Sequence, residues 1–263
     1  MEIAGYIASV FIGIVLGLIG GGGSILTVPV LVYLFAIDAV LATAYSLFIV
    51  GVTSSFGAVS YYRKGFVNIP AALLFGIPSI ISVFMTRAYV IPAIPANVFS
   101  IGEFIVTKNL LVLLLFAVLM VFASYKMIKP ARIIPDEKVH TLNYPLIIIE
   151  GLLIGFLTGL VGAGGGFLII PALVLLCKIP MKTAIGTSLT IITANTLIGF
   201  LGVDHKELLD WVFLLKIAAL AIAGIFIGFA IAKKIDGPKL KPVFGWFVLV
   251  MGIYIILKET VFK

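Results

Sequence analysis

The sequence predicts an all-α polytopic membrane protein built from two homologous halves, and three observations carry that prediction. Hydrophobic residues make up 62% of the 263-residue chain and charged residues 11%, against roughly 25% charged in a soluble domain. Apolar runs of about 20 residues recur along the whole length, each able to cross a hydrocarbon core about 30 Å thick. A glycine-rich stretch occurs twice, 142 residues apart: Ile12–Leu34 reads IGIVLGLIGGGGSILTVPVLVYL and Ile154–Leu176 reads IGFLTGLVGAGGGFLIIPALVLL. In lipid, backbone polar groups must be satisfied within a segment, so the apolar runs are expected as helices. The alternating segments of about ten residues that a transmembrane barrel needs do not occur.

The elements follow in order. The first half, residues 1–128, divides into Ile3–Ile19, Ser24–Phe35, Val40–Tyr62, Phe66–Val90 and Leu110–Met127. The first run has no basic leader before it and is too long for a cleaved signal, so it is expected to stay as a helix. The glycine tetrad ends it, and Pro29 falls in the arm that follows. Asp38 is placed to start the third segment. Between the fourth and fifth lies Ile91–Lys108, with Pro92, Pro95, Gly102 and Glu103, read as an interfacial insertion. Residues 129–143, KPARIIPDEKVHTLN, are the most polar stretch and the natural cytoplasmic linker. The second half, 144–263, divides into Pro145–Val161, Gly166–Cys177, Thr183–Gly202, Leu209–Ala232 and Val243–Leu257, with Asp210 at a helix start.

Aligned without gaps, Ile12–Gly57 and Ile154–Gly199 are identical at 18 of 46 positions, including Pro29/Pro171, five glycines and Ser46/Ser188. Such a repeat is expected where an internal duplication builds a transport site from broken helices. As one helix, Ile3–Phe35 would be about 50 Å long, more than a bilayer core. Four consecutive glycines at about 1 kcal/mol each favour a break. If each run only kinks its helix, there are eight spans and the Lys and Arg residues divide nine to eight between the two sides. If each run turns the chain back, one side collects twelve, among them Arg63, Lys64, Lys129 and Lys239, and the other keeps Arg87, Lys108, Lys206, Lys258 and Lys263. The second division is a positive-inside bias. It gives each half five segments, an odd number, so the halves are expected as inverted repeats with eight to ten membrane segments in all.

Several classes are set aside. The net charge of +7 comes from basic residues scattered in short loops, which suits membrane anchoring and not nucleic acid. Cys177, the single cysteine, forms no internal disulfide. His140 and His205 stand in the linker and a short loop. No metal-ligand spacing and no nucleophilic triad occur, so neither catalytic residues, metal nor cofactor is expected. A phosphate-binding loop would need Gly-Lys-Ser/Thr after the glycines, and neither copy has it.

The chemistry is expected at the repeats. Gly21, Gly22, Gly23 and Ser24, and Gly164, Gly165 and Gly166, would bring backbone N–H groups at a helix start against an anion. The flanking pairs Gly13/Gly17, Gly155/Gly159 and Gly224/Gly228 read instead as close helix packing. The next helices begin ATAYSL (Ala42–Leu47) and AIGTSL (Ala184–Leu189) and offer Thr43, Ser46, Thr187 and Ser188, followed by Thr53 and Asn195. Such hydroxyl and amide groups can complete an anion shell or simply bond back to their own helix. Glu150, inside an apolar run, is the candidate for proton coupling. Lys216 is expected to snorkel to the interface.

The paired motif GLIGGGGSILTVPVL / GLVGAGGGFLIIPALV, followed by AxxxSL / AIGTSL, resembles the sulfite exporter TauE/SafE family of membrane permeases over about Ile7–Leu257. The resemblance implies a multi-pass cell-membrane permease for sulfite, an organosulfonate or a related small anion. Gly20–Ser24, Gly162–Gly166, Ser46 and Ser188 would be its motif residues. Its partners would be that anion and the lipid bilayer, with self-association left open. Access would alternate as one half rocks against the other. A passive anion channel and a membrane subunit without transport activity are the competing readings.

Overall fold

Each apolar run winds into a helix that satisfies its own backbone. The computed structural model describes residues 2–101, 104–128, 144–203, 209–232 and 237–261. In the first half α1 is Glu2–Ile19, α2 Thr27–Tyr33, α3 Ala39–Arg63 and α5 Lys108–Ile128. Between the last two runs α4, Ile69–Ala93, with a π turn at Thr86–Val90. In the second half α6 is Tyr144–Val161, α7 Gly166–Leu176, α8 Met181–Leu201, α9 Trp211–Ala232 and α10 Gly237–Thr260. Among the described residues six helices, α3, α4, α5, α6, α8 and α9, are long and apolar enough to cross a membrane. Large side chains such as Ile3, Leu73, Ile77 and Leu153 are exposed on the outside, where a bilayer would cover them. The chain is therefore a predominantly helical, multi-pass membrane protein. The linker, with His140, and the loop holding His205 lie outside the described residues.

Three elements differ from expectation. Gly21–Leu26 winds as a 3-10 segment before α2 begins at Thr27. Helix α10 already runs from Gly237, six residues before the expected Val243. The insertion contains a hairpin, β1 (Asn97–Ile101) against β2 (Phe104–Thr107), antiparallel with Phe99 opposite Val106. NVFSI and FIVT are rich in the β-branched and aromatic residues that pack well on a pleated surface.

Asp38 starts α3 as expected: its Oδ1 accepts from the N–H groups of Val40 at 3.0 Å and Leu41 at 3.3 Å, and its other oxygen accepts from Asn109 at the head of α5. Asp38→Ala is expected to destabilise the protein by about 1 kcal/mol, the usual worth of a cap. Chemical unfolding in detergent would measure this, and an unchanged midpoint would contradict it.

Both glycine runs turn the chain back. The rings of Tyr6 in α1 and Phe35 beyond α2 meet at 5.5 Å, whereas one straight helix would hold them about 44 Å apart. In the second copy Tyr144 and Ile148 of α6 line one groove with Cys177 and Ile179, which follow α7.

The packing partners cross between the halves. Gly13 lies against Ala221 and Ile225, and Gly17 against Ile225 and Gly228, so α1 and α9 run parallel. Gly151 lies against Phe75, Gly155 against Ser79 and Gly159 against Val83 and Thr86, so α6 and α4 also run parallel. Small residues let these backbones touch. Helices α3 and α8 run antiparallel through the centre, with Tyr61 beside Gly186, Ser54 Oγ 3.0 Å from Thr193 Oγ1, and Gly51 beside Leu197. Exchanging the halves (α1 for α6, α4 for α9, α3 for α8) maps these pairs onto themselves.

Candidate functional site

The two glycine turns share one local design. The N–H of Gly20 donates to Leu16 O at 2.9 Å and that of Gly162 to Thr158 O at 2.8 Å. Each closes the last turn of its helix, and both glycines then take φ 75°. That left-handed conformation is strained for any residue with a Cβ. Beyond the turns the chains return toward each other. Gly21 and Gly166 touch backbone to backbone, with Ile192 of α8 against both. Gly164 sits among Ile192, Val50 and Thr196, near the middle of α3 and α8. The two broken helices thus meet at the centre of the molecule.

Of the other glycines singled out, Gly23 packs on the backbone of Val15 and Leu16, and Gly165, at φ 67°, on Thr158. Gly22 lies in the same 3-10 segment as Gly21. The Ser24 hydroxyl donates to Gly21 O at 2.7 Å and so closes its own turn. Ser188 likewise donates to Ile185 O at 2.8 Å, and Thr187 Oγ1 accepts from the Asn68 N–H at 2.9 Å, joining α8 to the start of α4.

Other polar groups are buried with nothing to bond. Ser46 Oγ, Thr53 Oγ1, Thr27 Oγ1, Thr158 Oγ1 and Asn195 Oδ1 have no partner. The Asn195 amide nitrogen donates to Ser79 Oγ at 2.7 Å, which leaves its oxygen free. Thr53 and Asn195 stand 142 residues apart, at equivalent positions of the repeat. Buried polar groups are ordinarily paired, so Ser46, Thr53 and Asn195 stand out as exceptions along α3 and α8.

One buried cation escaped sequence reasoning. The charge count placed Arg87 among loop cations, but it lies inside α4 with 2% of its surface exposed. Its Nη1 donates to Thr43 Oγ1 at 3.0 Å. Thr43 donates onward to Val40 O at 2.7 Å and packs against Gly162, the positive-φ glycine of the second turn. The signal available was an arginine seven residues inside a 25-residue apolar segment. A loop-charge count cannot distinguish that from an interfacial anchor.

Glu150 is half-buried in α6, about 18 Å by helical rise from Gly162, so it does not join the glycine contact. A groove of about 650 Å³ between α4, α6 and the end of α7 is lined by Asn68, Leu74, Pro78, Tyr144, Ile148 and Cys177 among others; it faces outward, away from the glycine contact. Lys216 is exposed, as a snorkelling residue should be. Among the described residues no group of acidic, His or Cys side chains could hold a metal ion.

Comparison with known proteins agrees with this architecture. The family model for the sulfite exporter TauE/SafE matches residues 6–255. A probable membrane transporter protein of Xylella fastidiosa (strain 9a5c) is 30% identical over 254 residues, covering 94% of this chain and 92% of the relative. The probable membrane transporter protein YunE of Bacillus subtilis is 27% identical, covering 95% and 97%. MJ0441 of Methanocaldococcus jannaschii, also a probable membrane transporter protein, is 34% identical over 128 residues, 46% of this chain and 48% of that one. No solved structure matches.

Proposed function

The chain belongs to the sulfite exporter TauE/SafE family of membrane transporters, and from that premise we propose that it is a secondary transporter for a small anion. Sulfite or an organosulfonate is the substrate class, and access alternates about the paired glycine turns. The observation that carries this reading is the contact of Gly21 with Gly166 at the centre of the bundle. Two broken helices there present N–H groups that have no partner within the helix, beside the unpaired hydroxyls and amide oxygen of α3 and α8. Discontinuous helices meeting at the midplane are how many transporter folds build a substrate site.

The halves are inverted repeats in this reading. Helix directions support it: α1 runs parallel to α9, α4 parallel to α6 and α3 antiparallel to α8. Protons drive the cycle through Glu150, the carboxylate within the apolar run of α6.

Flux into proteoliposomes tests the proposal, with sulfite, sulfate, methanesulfonate and acetate offered with and without a pH gradient. Saturable uptake of sulfite or methanesulfonate with counterflow is expected. Channel-like conductance, or no flux of any anion, would refute it. Glu150→Gln is expected to retain counterflow and lose the response to the gradient; a response equal to that of the wild type would remove Glu150 from the cycle.

A further inference from the structure

Arg87 poses a physical problem that the fold does not solve. Its guanidinium is buried inside a membrane-spanning helix, where an unpaired charge is strongly disfavoured. One nitrogen, Nη1, is held by Thr43. The other two, Nε and Nη2, have no partner. These two nitrogens form one side of the planar guanidinium, with N–H bonds that point the same way. Such an edge matches two oxygens of one oxyanion in a bidentate pair, which a monatomic halide cannot offer.

The surroundings fix and limit that edge. Thr43 is anchored on Val40 O and packed on the glycine turn at Gly162. Gly202 packs tightly against the arginine stem, with Arg87 Cβ 3.2 Å from where its Cβ would stand, and against Phe84. Thr158, whose hydroxyl also lacks a partner, borders the same turn. The residue 142 positions on from Arg87 is Phe229, so the second half has no equivalent cation. Arg87 is also about 27 Å by helical rise from the Ile69 end of α4, next to Arg63 and Lys64.

We propose that the free Nε–Nη2 edge of Arg87, braced by Thr43 beside the glycine turn at Gly162, is the receptor that takes two oxygens of the transported oxyanion, on the face opposite Arg63 and Lys64. The inference rests on the anion-transport reading and adds a residue and a selectivity to it: sulfite, sulfonate and carboxylate bind, and chloride does not.

The test uses the full chain purified in detergent. Calorimetric titration and thermal unfolding are followed with sulfite, methanesulfonate and chloride for the wild type, Arg87→Met and Arg87→Lys. The wild type is expected to bind both oxyanions and not chloride. Arg87→Met is expected to melt higher than the wild type when empty, because an unpaired buried charge is gone, yet to show no shift with either oxyanion. Arg87→Lys keeps the charge but not the fork, and is expected to bind about tenfold more weakly. Oxyanion affinity in Arg87→Met equal to that of the wild type overturns the inference and leaves the transport reading standing. So does an Arg87→Met protein that melts lower and is restored by Arg87→Lys, since the role is then structural. Should Arg87→Met not be recovered as a monodisperse protein, undiminished affinity in Arg87→Lys overturns the inference by itself. A wild type that binds none of the anions overturns both readings.

Discussion

Gly166→Val is expected to lower anion flux about a hundredfold, the scale on which displacing a positioned group by an ångström acts. A Cβ at Gly166 would meet the backbone of Gly21, with the Gly21 oxygen at 2.5 Å, and also the tip of Ile192. Ile192 can rotate away, but the Gly21 backbone has no rotamer to change. The two broken helices must therefore separate, and the N–H groups at the contact move with them. Gly21→Val should act alike, because a Cβ there would meet the Gly166 backbone, its carbonyl carbon 2.9 Å away. Gly65→Ala is the control: it too has positive φ, 74°, but open space around its Cβ position. It is expected to keep flux near the wild-type rate at a cost of about 1 kcal/mol of stability. Proteoliposome flux, with reconstitution checked by gel filtration, decides the matter. Wild-type flux in Gly166→Val would falsify a mechanism centred on this contact.

Gly155→Leu and Gly13→Leu are expected to destabilise the folded protein by about 3 kcal/mol each, the upper range for overpacking a well-packed interior. Both glycines face backbone. At Gly155 a Cβ would stand 2.9 Å from Ser79 Cα, and at Gly13 it would stand 2.8 Å from the Ala221 carbonyl carbon. The two seams are equivalent under exchange of the halves, so the two substitutions should match within about 2 kcal/mol, the scatter usual for one chemistry at different sites. Unfolding titrations in mixed micelles measure the difference. A harmless Gly155→Leu would mean that α4 and α6 do not depend on direct backbone contact.

Much of this architecture was legible in the residues because it rests on backbone requirements that few side chains meet. Gly20 and Gly162 stand at one register of the repeat and take the same φ, 75°. Asp38 caps the helix it precedes. The small-xxx-small pairs are where helices touch. What stayed hidden depends on partners distant in sequence. That Gly21 meets Gly166 depends on how the two turns approach each other, and that Asn195 meets Ser79 depends on how α4 packs on α8. Ser24, Thr187 and Ser188 looked equivalent to Ser46 and Thr53 as hydroxyl donors, yet their bonds go to local or structural partners, whereas Ser46 and Thr53 are left free. Arg87 was hidden because a loop-charge count has no term for burial.

The glycine seams carry a consequence for how such a molecule can divide. Each ties a helix of residues 1–128 to a helix of residues 144–263: α1 to α9, and α6 to α4. No surface can pass between the two repeats without parting backbones that touch, so a duplication boundary in the sequence is not a hinge in the molecule. The blocks joined by these seams are mixed in origin. One holds α1 and α9, the other α4 and α6, and they face each other across α3 and α8. Swinging one repeat against the other, the motion that duplication alone suggests, is the motion this packing resists.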